Sequence, residues 1–138
     1  MNLLRIHDGR GEIPTTIKAW YYNFIQFRIT KILRKCYWGD AFESIKKVKD
    51  SKYDKIFVDL NDDQYCIDLA AKNMKGLKRI LKPNGVITAQ VGCLSKKPKQ
   101  VNGWLKVLDH SFGNSKLDEV VIPSFDCRWN FASSIMKS

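Results

Sequence analysis

Tyr53-Asp54-Lys55-Ile56-Phe57-Val58-Asp59-Leu60-Asn61-Asp62-Asp63 is an apolar run that stops abruptly at a cluster of carboxylates. Ile56, Phe57 and Val58, with Leu60 just beyond, read as a buried strand over residues 55–60. In an open α/β sheet, ligands bind beyond the carboxyl ends of the strands. Acids at this edge therefore stand where chemistry is done. From Ile56 to Ala71 there is no Lys or Arg, yet Asp59, Asp62, Asp63 and Asp68 all fall there. The chain as a whole carries 24 basic and 14 acidic residues, so this stretch runs against the average. Its composition is that of a cation site. An acidic pocket built from Asp59, Asp62 and Asp40 is expected on an otherwise positive surface. The competing structural reading is that Asp59 caps the helix that follows.

Working outward, residues 64–81 place Ile67, Ala70, Met74, Leu77 and Leu81 at helical spacing, with Lys78, Arg79 and Lys82 where the negative end of the helix dipole favours them. Pro83-Asn84-Gly85 is a turn signal, because proline fixes one dihedral and Asn or Gly takes a positive one. A strand over 85–91 follows, then an amphipathic helix marked by Val101, Trp104, Leu105, Leu108 and Phe112. Residues 120–122 and 129–133 read as two strands close enough in sequence to pair antiparallel. Toward the amino terminus, 2–6 is a short strand and Asp8-Gly9-Arg10-Gly11 a turn. Residues 15–35 read as a helix, 35–38 as a strand and 41–48 as a helix opened by Gly39-Asp40. Alternating strands and helices predict a Rossmann-like, doubly wound, mostly parallel sheet with an antiparallel C-terminal strand.

A length of 138 residues and 16.0 kDa fits one domain spanning 1–138, and 44% apolar residues suffice for a core. No apolar run approaches the roughly 20 residues needed to span a bilayer. Charge interrupts Met1–Asp8 too early for a secretory signal, so a cytoplasmic protein is expected. Cys36, Cys66, Cys93 and Cys127 are about thirty residues apart. They form no CxxC pair and no zinc spacing, and read as reduced, structural thiols. No metal is expected. The formal charge of +10 is compatible with RNA or DNA, but the basic residues are dispersed and no aromatic–basic module interleaves them. His7 and His110 have no partner in sequence and do not read as ligands or bases.

Gly39-Asp40-Ala41, Tyr53-Asp54, Asp59-Leu60-Asn61-Asp62, Leu81-Lys82-Pro83-Asn84-Gly85 with Gln90, and Ile122-Pro123-Ser124-Phe125 with Trp129 occur in that order. The series resembles the catalytic domain of the polyamine aminopropyltransferases, the spermidine, spermine and thermospermine synthases, over residues 35–134. The resemblance implies an S-adenosylmethionine-methyltransferase-type fold with its N-terminal part abbreviated. It implies decarboxylated S-adenosylmethionine as co-substrate, with no permanently bound cofactor, a polyamine as acceptor, and a homo- or hetero-oligomer. On this basis Asp40 and Ala41 face the adenine, and Asp59 accepts the proton from the attacking amine. Asp62 holds a substrate ammonium, Gln90 lies near the amine channel, and Phe125 stands where several members have tyrosine.

The chemistry is consistent with those residue types. An alkylamine with a pKa near 10 is protonated at pH 7 and cannot attack a sulfonium carbon. A site for it needs carboxylates that attract the cation and one that takes a proton. The sequence departs from the family pattern in its nucleotide loop. Where the family has Gly-Gly-Gly-Asp/Glu-Gly, this chain has His7-Asp8-Gly9-Arg10-Gly11-Glu12, leaving Gly9 and Gly11 as the nucleotide-contacting glycines. No strand ending in a ribose-binding acid is evident between Glu12 and Asp40. Three alternatives follow: a catalytically silent aminopropyltransferase-like subunit, a methyltransferase-like enzyme, and a basic nucleic-acid-binding module. Trp104 and Trp129 read as core residues rather than substrate stackers, and Gln90 as a satisfied core amide if it has no role.

Overall fold

The computed structural model describes residues 2–7, 40–60, 63–122 and 126–137. These build one five-stranded sheet in the order β1-β2-β3-β5-β4, from β1 (Leu3–His7), β2 (Tyr53–Asp59), β3 (Leu81–Gly92), β4 (Lys116–Val121) and β5 (Arg128–Ile135). β1 pairs with β2, and β2 with β3, in parallel. β5 runs antiparallel to β3, and β4 antiparallel to β5, so four of the five strands share one direction. This is the mostly parallel sheet that the strand–helix alternation predicts.

The side-chain alternation of the strands decides which face is covered. Ile56 and Val58 of β2, Ile87, Ala89 and Val91 of β3 and Ala132 of β5 are buried. They pack with helices α1 (Ala41–Lys46), α2 (Gln64–Ile80) and α3 (Pro98–Phe112) into one core. α2 buries Ile67, Ala70, Met74, Leu77 and Ile80, and α3 buries Val101, Trp104, Leu108 and Phe112. The two helices approach closely at Gly103, where an added Cβ would lie 3.3 Å from a methyl of Ile67. The opposite face presents Leu3, Arg5, Phe57, Asp59, Gln90 and Phe131, none of them fully buried.

Local chemistry explains the element ends. The Asp63 carboxylate accepts from the Cys66 N–H at 2.9 Å and opens α2. Pro98 starts α3, and Gly113 closes it at φ 70°, the left-handed conformation a helix C-terminus favours. α1 is too short to persist alone. The Arg79 guanidinium donates to the Ile45 carbonyl (2.8 Å) and the Val48 carbonyl (2.7 Å) and pairs with Asp50, tying α1 to the end of α2.

Several boundaries differ from the sequence reading. The first helix ends at Lys46 rather than 48, because Lys47 and Val48 donate to carbonyls three residues back and Arg79 takes the end of the turn. Leu81 leaves α2 in an extended conformation, φ −82° and ψ 134°, and begins β3 opposite Tyr53. The register then jumps, so Lys82 to Gly85 bulge out and Asn84 takes the positive dihedral, φ 60°. β4 starts at Lys116, four residues before the expected strand. Its residues are almost all exposed, so an edge strand rich in charge lacks the apolar signal that would reveal it. The helix expected at 15–35 and the strand at 35–38 lie outside the described residues.

The bulge gives a stability test. A Cβ on Gly85 would sit 2.8 Å from the Lys82 carbonyl oxygen and 2.7 Å from Leu81 Cδ1. Backbone cannot swing aside, so Gly85→Ala is expected to destabilise by about 1–3 kcal/mol. Gly103→Ala meets only a side-chain methyl and should cost less. Urea midpoints for the two variants compare them directly.

A second test concerns acid. The Asp54 carboxylate accepts from the Asn2 backbone N–H (2.6 Å) and from Lys82 Nζ (2.9 Å), joining β1, β2 and the bulge. These bonds, the Asn2 bond foremost, hold its carboxyl below the usual 3.8. A depressed folded value means stabilisation that is complete well above 3.8 and is lost as pH falls through and below it. Asp54→Asn should flatten the fall of stability below that pH, as thermal melts of both proteins would record.

Candidate active site

Asp59 is the last residue of β2, and Gln90 lies toward the end of β3, each one step beyond the paired residues Val58 and Ala89. Strand alternation turns both side chains to the face opposite the helices. There they line an open cleft of about 450 Å³ with Leu3, Arg5, Phe57 and Phe131. The Phe57 and Phe131 rings lie 6.0 Å apart at 39° and form its apolar wall. Asp59 thus stands at the end of its strand, and the structure brings Gln90 into the same cleft.

The electrostatics are not those of a purely acidic pocket. Arg5 Nη2 donates to Asp59 Oδ2 in an ion pair. Arg5 stands opposite Phe57 in the register, two residues short of Asp59 on the same face. Sequence could not reveal the pair, because 54 residues separate its members. The Asp59 side chain is 15% exposed and that of Arg5 56%. Such a half-exposed pair is screened by water and worth only about 0–1 kcal/mol. A bound ammonium group can therefore replace the guanidinium at small cost. Asp59 does not take the helix-capping role; Asp63 caps α2.

Asp40 is the N-cap of α1, accepting from the Phe42 N–H at 2.8 Å and the Glu43 N–H at 3.2 Å. Neither Asp40 nor Ala41 is among the described residues that line the Asp59 cleft. Asp62, Phe125, Gly9 and Gly11 lie outside the described residues. Trp104 is fully buried in the core, as expected, whereas Trp129 is half-buried on the open face. His110 sits exposed in the last turn of α3. Among the described residues, no group of three or more His, Cys, Asp or Glu side chains is placed to hold a metal ion. No helix among them is long and apolar enough to cross a membrane.

A second cavity, about 210 Å³, is one the sequence reading missed. Cys93, Lys96, Lys97, Asp126, Cys127 and Trp129 line it. Cys93 follows the end of β3 and Cys127 precedes β5, so the antiparallel pairing of those strands gathers two thiols 34 residues apart in sequence. A CxxC search has no access to that proximity.

Comparison with known proteins agrees with this geometry. The sequence model of the spermine/spermidine synthase domain matches residues 28–138, and the chain belongs to that family. A spermidine synthase from Thermotoga maritima superposes with a TM-score of 0.71 at 14% identity, covering 96% of this chain and 44% of that one. A spermidine synthase solved in complex with the transition state analogue AdoDATO gives 0.69 at 14% identity, covering 96% and 43%. The fold is therefore the Rossmann-like one of these enzymes, and the chain spans less than half the length of either. No curated protein sequence matches significantly.

The cap of α1 separates two roles for Asp40. Asp40→Ala should lower stability by about 0.5–2 kcal/mol through loss of the cap, whereas Asp40→Asn, an equally good cap, should not. Chemical denaturation of both variants reads the difference. Any ligand effect shared by the two then belongs to the charge.

Proposed function

We propose that this chain is an aminopropyltransferase domain that transfers an aminopropyl group from decarboxylated S-adenosylmethionine to a polyamine. The observation that carries the reading is the meeting of Asp59, Gln90, Phe57 and Phe131 in one cleft on the sheet face opposite α1–α3, with Asp59 and Gln90 toward the carboxyl ends of β2 and β3. A polyamine is a string of methylenes with ammonium groups. Aromatic faces suit the methylenes, a carboxylate suits the ammonium, and an amide oxygen accepts a further N–H.

In the reaction, an ammonium group of the polyamine displaces Arg5 from Asp59, and Asp59 accepts its proton, leaving a neutral nitrogen with a free electron pair. That pair attacks the carbon bound to the sulfonium sulfur. The new C–N bond forms as the C–S bond breaks, and the electrons return to sulfur, giving methylthioadenosine. Asp62 binds a second ammonium, and Phe125 provides apolar contact without the hydroxyl a tyrosine would offer. Asp40 and Ala41 contact the adenine, with Gly9 and Gly11 allowing backbone approach to the nucleotide.

A second reading, a catalytically silent subunit that still binds polyamine, is favoured by the Arg5–Asp59 pair. A guanidinium beside the carboxylate competes with a substrate ammonium. Methylthioadenosine release by the full chain, supplied with decarboxylated S-adenosylmethionine and spermidine, decides between them. If the chain is active, Asp59→Asn should lower kcat by about 10²–10⁴-fold with little change in nucleotide affinity. Wild-type turnover in that variant would remove Asp59 from the mechanism. Arg5→Ala should tighten spermidine binding, measured calorimetrically, by up to about fivefold, the worth of an exposed pair. Binding of neither nucleotide nor spermidine at millimolar concentration would overturn both readings.

A further inference from the structure

We propose that Cys93 and Cys127 form a reactive dithiol site for small peroxides, Cys93 acting as the nucleophile and Cys127 as the resolving thiol, with a disulfide between the end of β3 and the start of β5 as product. The site is independent of the Asp59 cleft and of the transfer reaction. It rests first on placement. The two side chains line the same cavity, together with Lys96 and Asp126. Cys93 is 3% exposed, whereas Cys127 is half-buried. A cavity of about 210 Å³ has room for a small peroxide beside the inner sulfur.

The surroundings distinguish the two sulfurs. The Ser95 hydroxyl lies 3.1 Å from Cys93 Sγ. Burial pushes the Cys93 thiol up, but hydrogen bonds from Cys127, from the Ser95 hydroxyl and from the Lys96 and Ser95 backbone N–H groups outweigh it and hold the thiol below its usual value. The Cys127 thiol is raised, first by its hydrogen bond to Cys93 and then by burial. Lys96 Nζ pairs with Asp126 at 2.7 Å and lends positive charge to both sulfurs. Two thiols in one cavity, the inner one held lower than the outer, suit an attacking and a resolving cysteine, since the thiolate is the nucleophile.

The chemistry balances with hydrogen peroxide as oxidant. The Cys93 thiolate attacks one peroxide oxygen; the S–O bond forms, the O–O bond breaks, and the departing hydroxide takes a solvent proton to become water. Cys127 sulfur then attacks the Cys93 sulfenic acid. The S–S bond forms as the S–O bond breaks, and the leaving hydroxide takes the Cys127 proton. Two thiols lose two electrons, and peroxide becomes two waters.

The full-length reduced chain, given one equivalent of hydrogen peroxide, tests this. Titratable thiols should fall from four to two, and non-reducing peptide mapping should recover a Cys93–Cys127 crosslink. In Cys127→Ser, a dimedone adduct should accumulate on Cys93. The same treatment of urea-unfolded chain should show no preference among the cysteines. Mapping on wild type needs no variant, so a Cys127→Ser protein that fails to fold leaves the test intact. A crosslink involving Cys36 or Cys66, or folded protein that keeps all four thiols, overturns the proposal. So does dimedone labelling of Cys127 first.

Discussion

The parallel pairing of β2 with β3 is the constraint on which the other features rest. Ile56 and Val58 register with Ile87 and Ala89, and all four are at most 1% exposed. Parallel strands cannot be joined by a hairpin, so a helix must cross between them, and α2 is that crossover. Its buried stripe covers the paired strands, and the contact at Gly103 with Ile67 seats α3 beside it. Because alternate residues point to opposite faces, the rungs that bury Val58 and Ala89 necessarily send Asp59 and Gln90 to the other side. The cleft is thus a geometric consequence of the core.

A carboxylate held there meets a cation from the neighbouring strand. Arg5 comes from β1, which joins the sheet through its own parallel register with β2. The strand that completes the cleft also supplies the competing charge. Solvent access to Arg5 keeps the pair weak enough for exchange. An ion pair of this kind orients the Asp59 carboxylate.

The antiparallel end of the sheet has a different consequence. β5 returns beside β3, and the Asn130 side chain accepts from the Leu94 N–H at 2.9 Å, fixing the turn that carries Cys93 against the start of β5. The Cys93 carbonyl also accepts from the Lys96 and Lys97 N–H groups at 3.2 and 2.8 Å, shaping the approach to α3. The thiol pair is therefore held on both sides by backbone that the fold itself needs.

The sequence by itself determined the elements with strong periodicity. The apolar run from Ile56 to Val58, the stripe from Ile67 to Leu77 and the Pro83-Asn84-Gly85 signal each encode their structure locally, through burial or a dihedral preference. It also determined that Asp59 stands at a strand end, and its ordered motifs indicated the family. β4 escaped because an exposed edge strand buries little and so carries no pattern. Asp40 was legible as a cap from its type and place, but the cap bonds say nothing of a ligand. Only the tertiary structure decided that Arg5 faces Asp59, that Gln90 shares its cleft and that Cys93 meets Cys127. Those contacts join residues tens of positions apart. Strand order and register create such proximities, and neither is a property of any local stretch of chain.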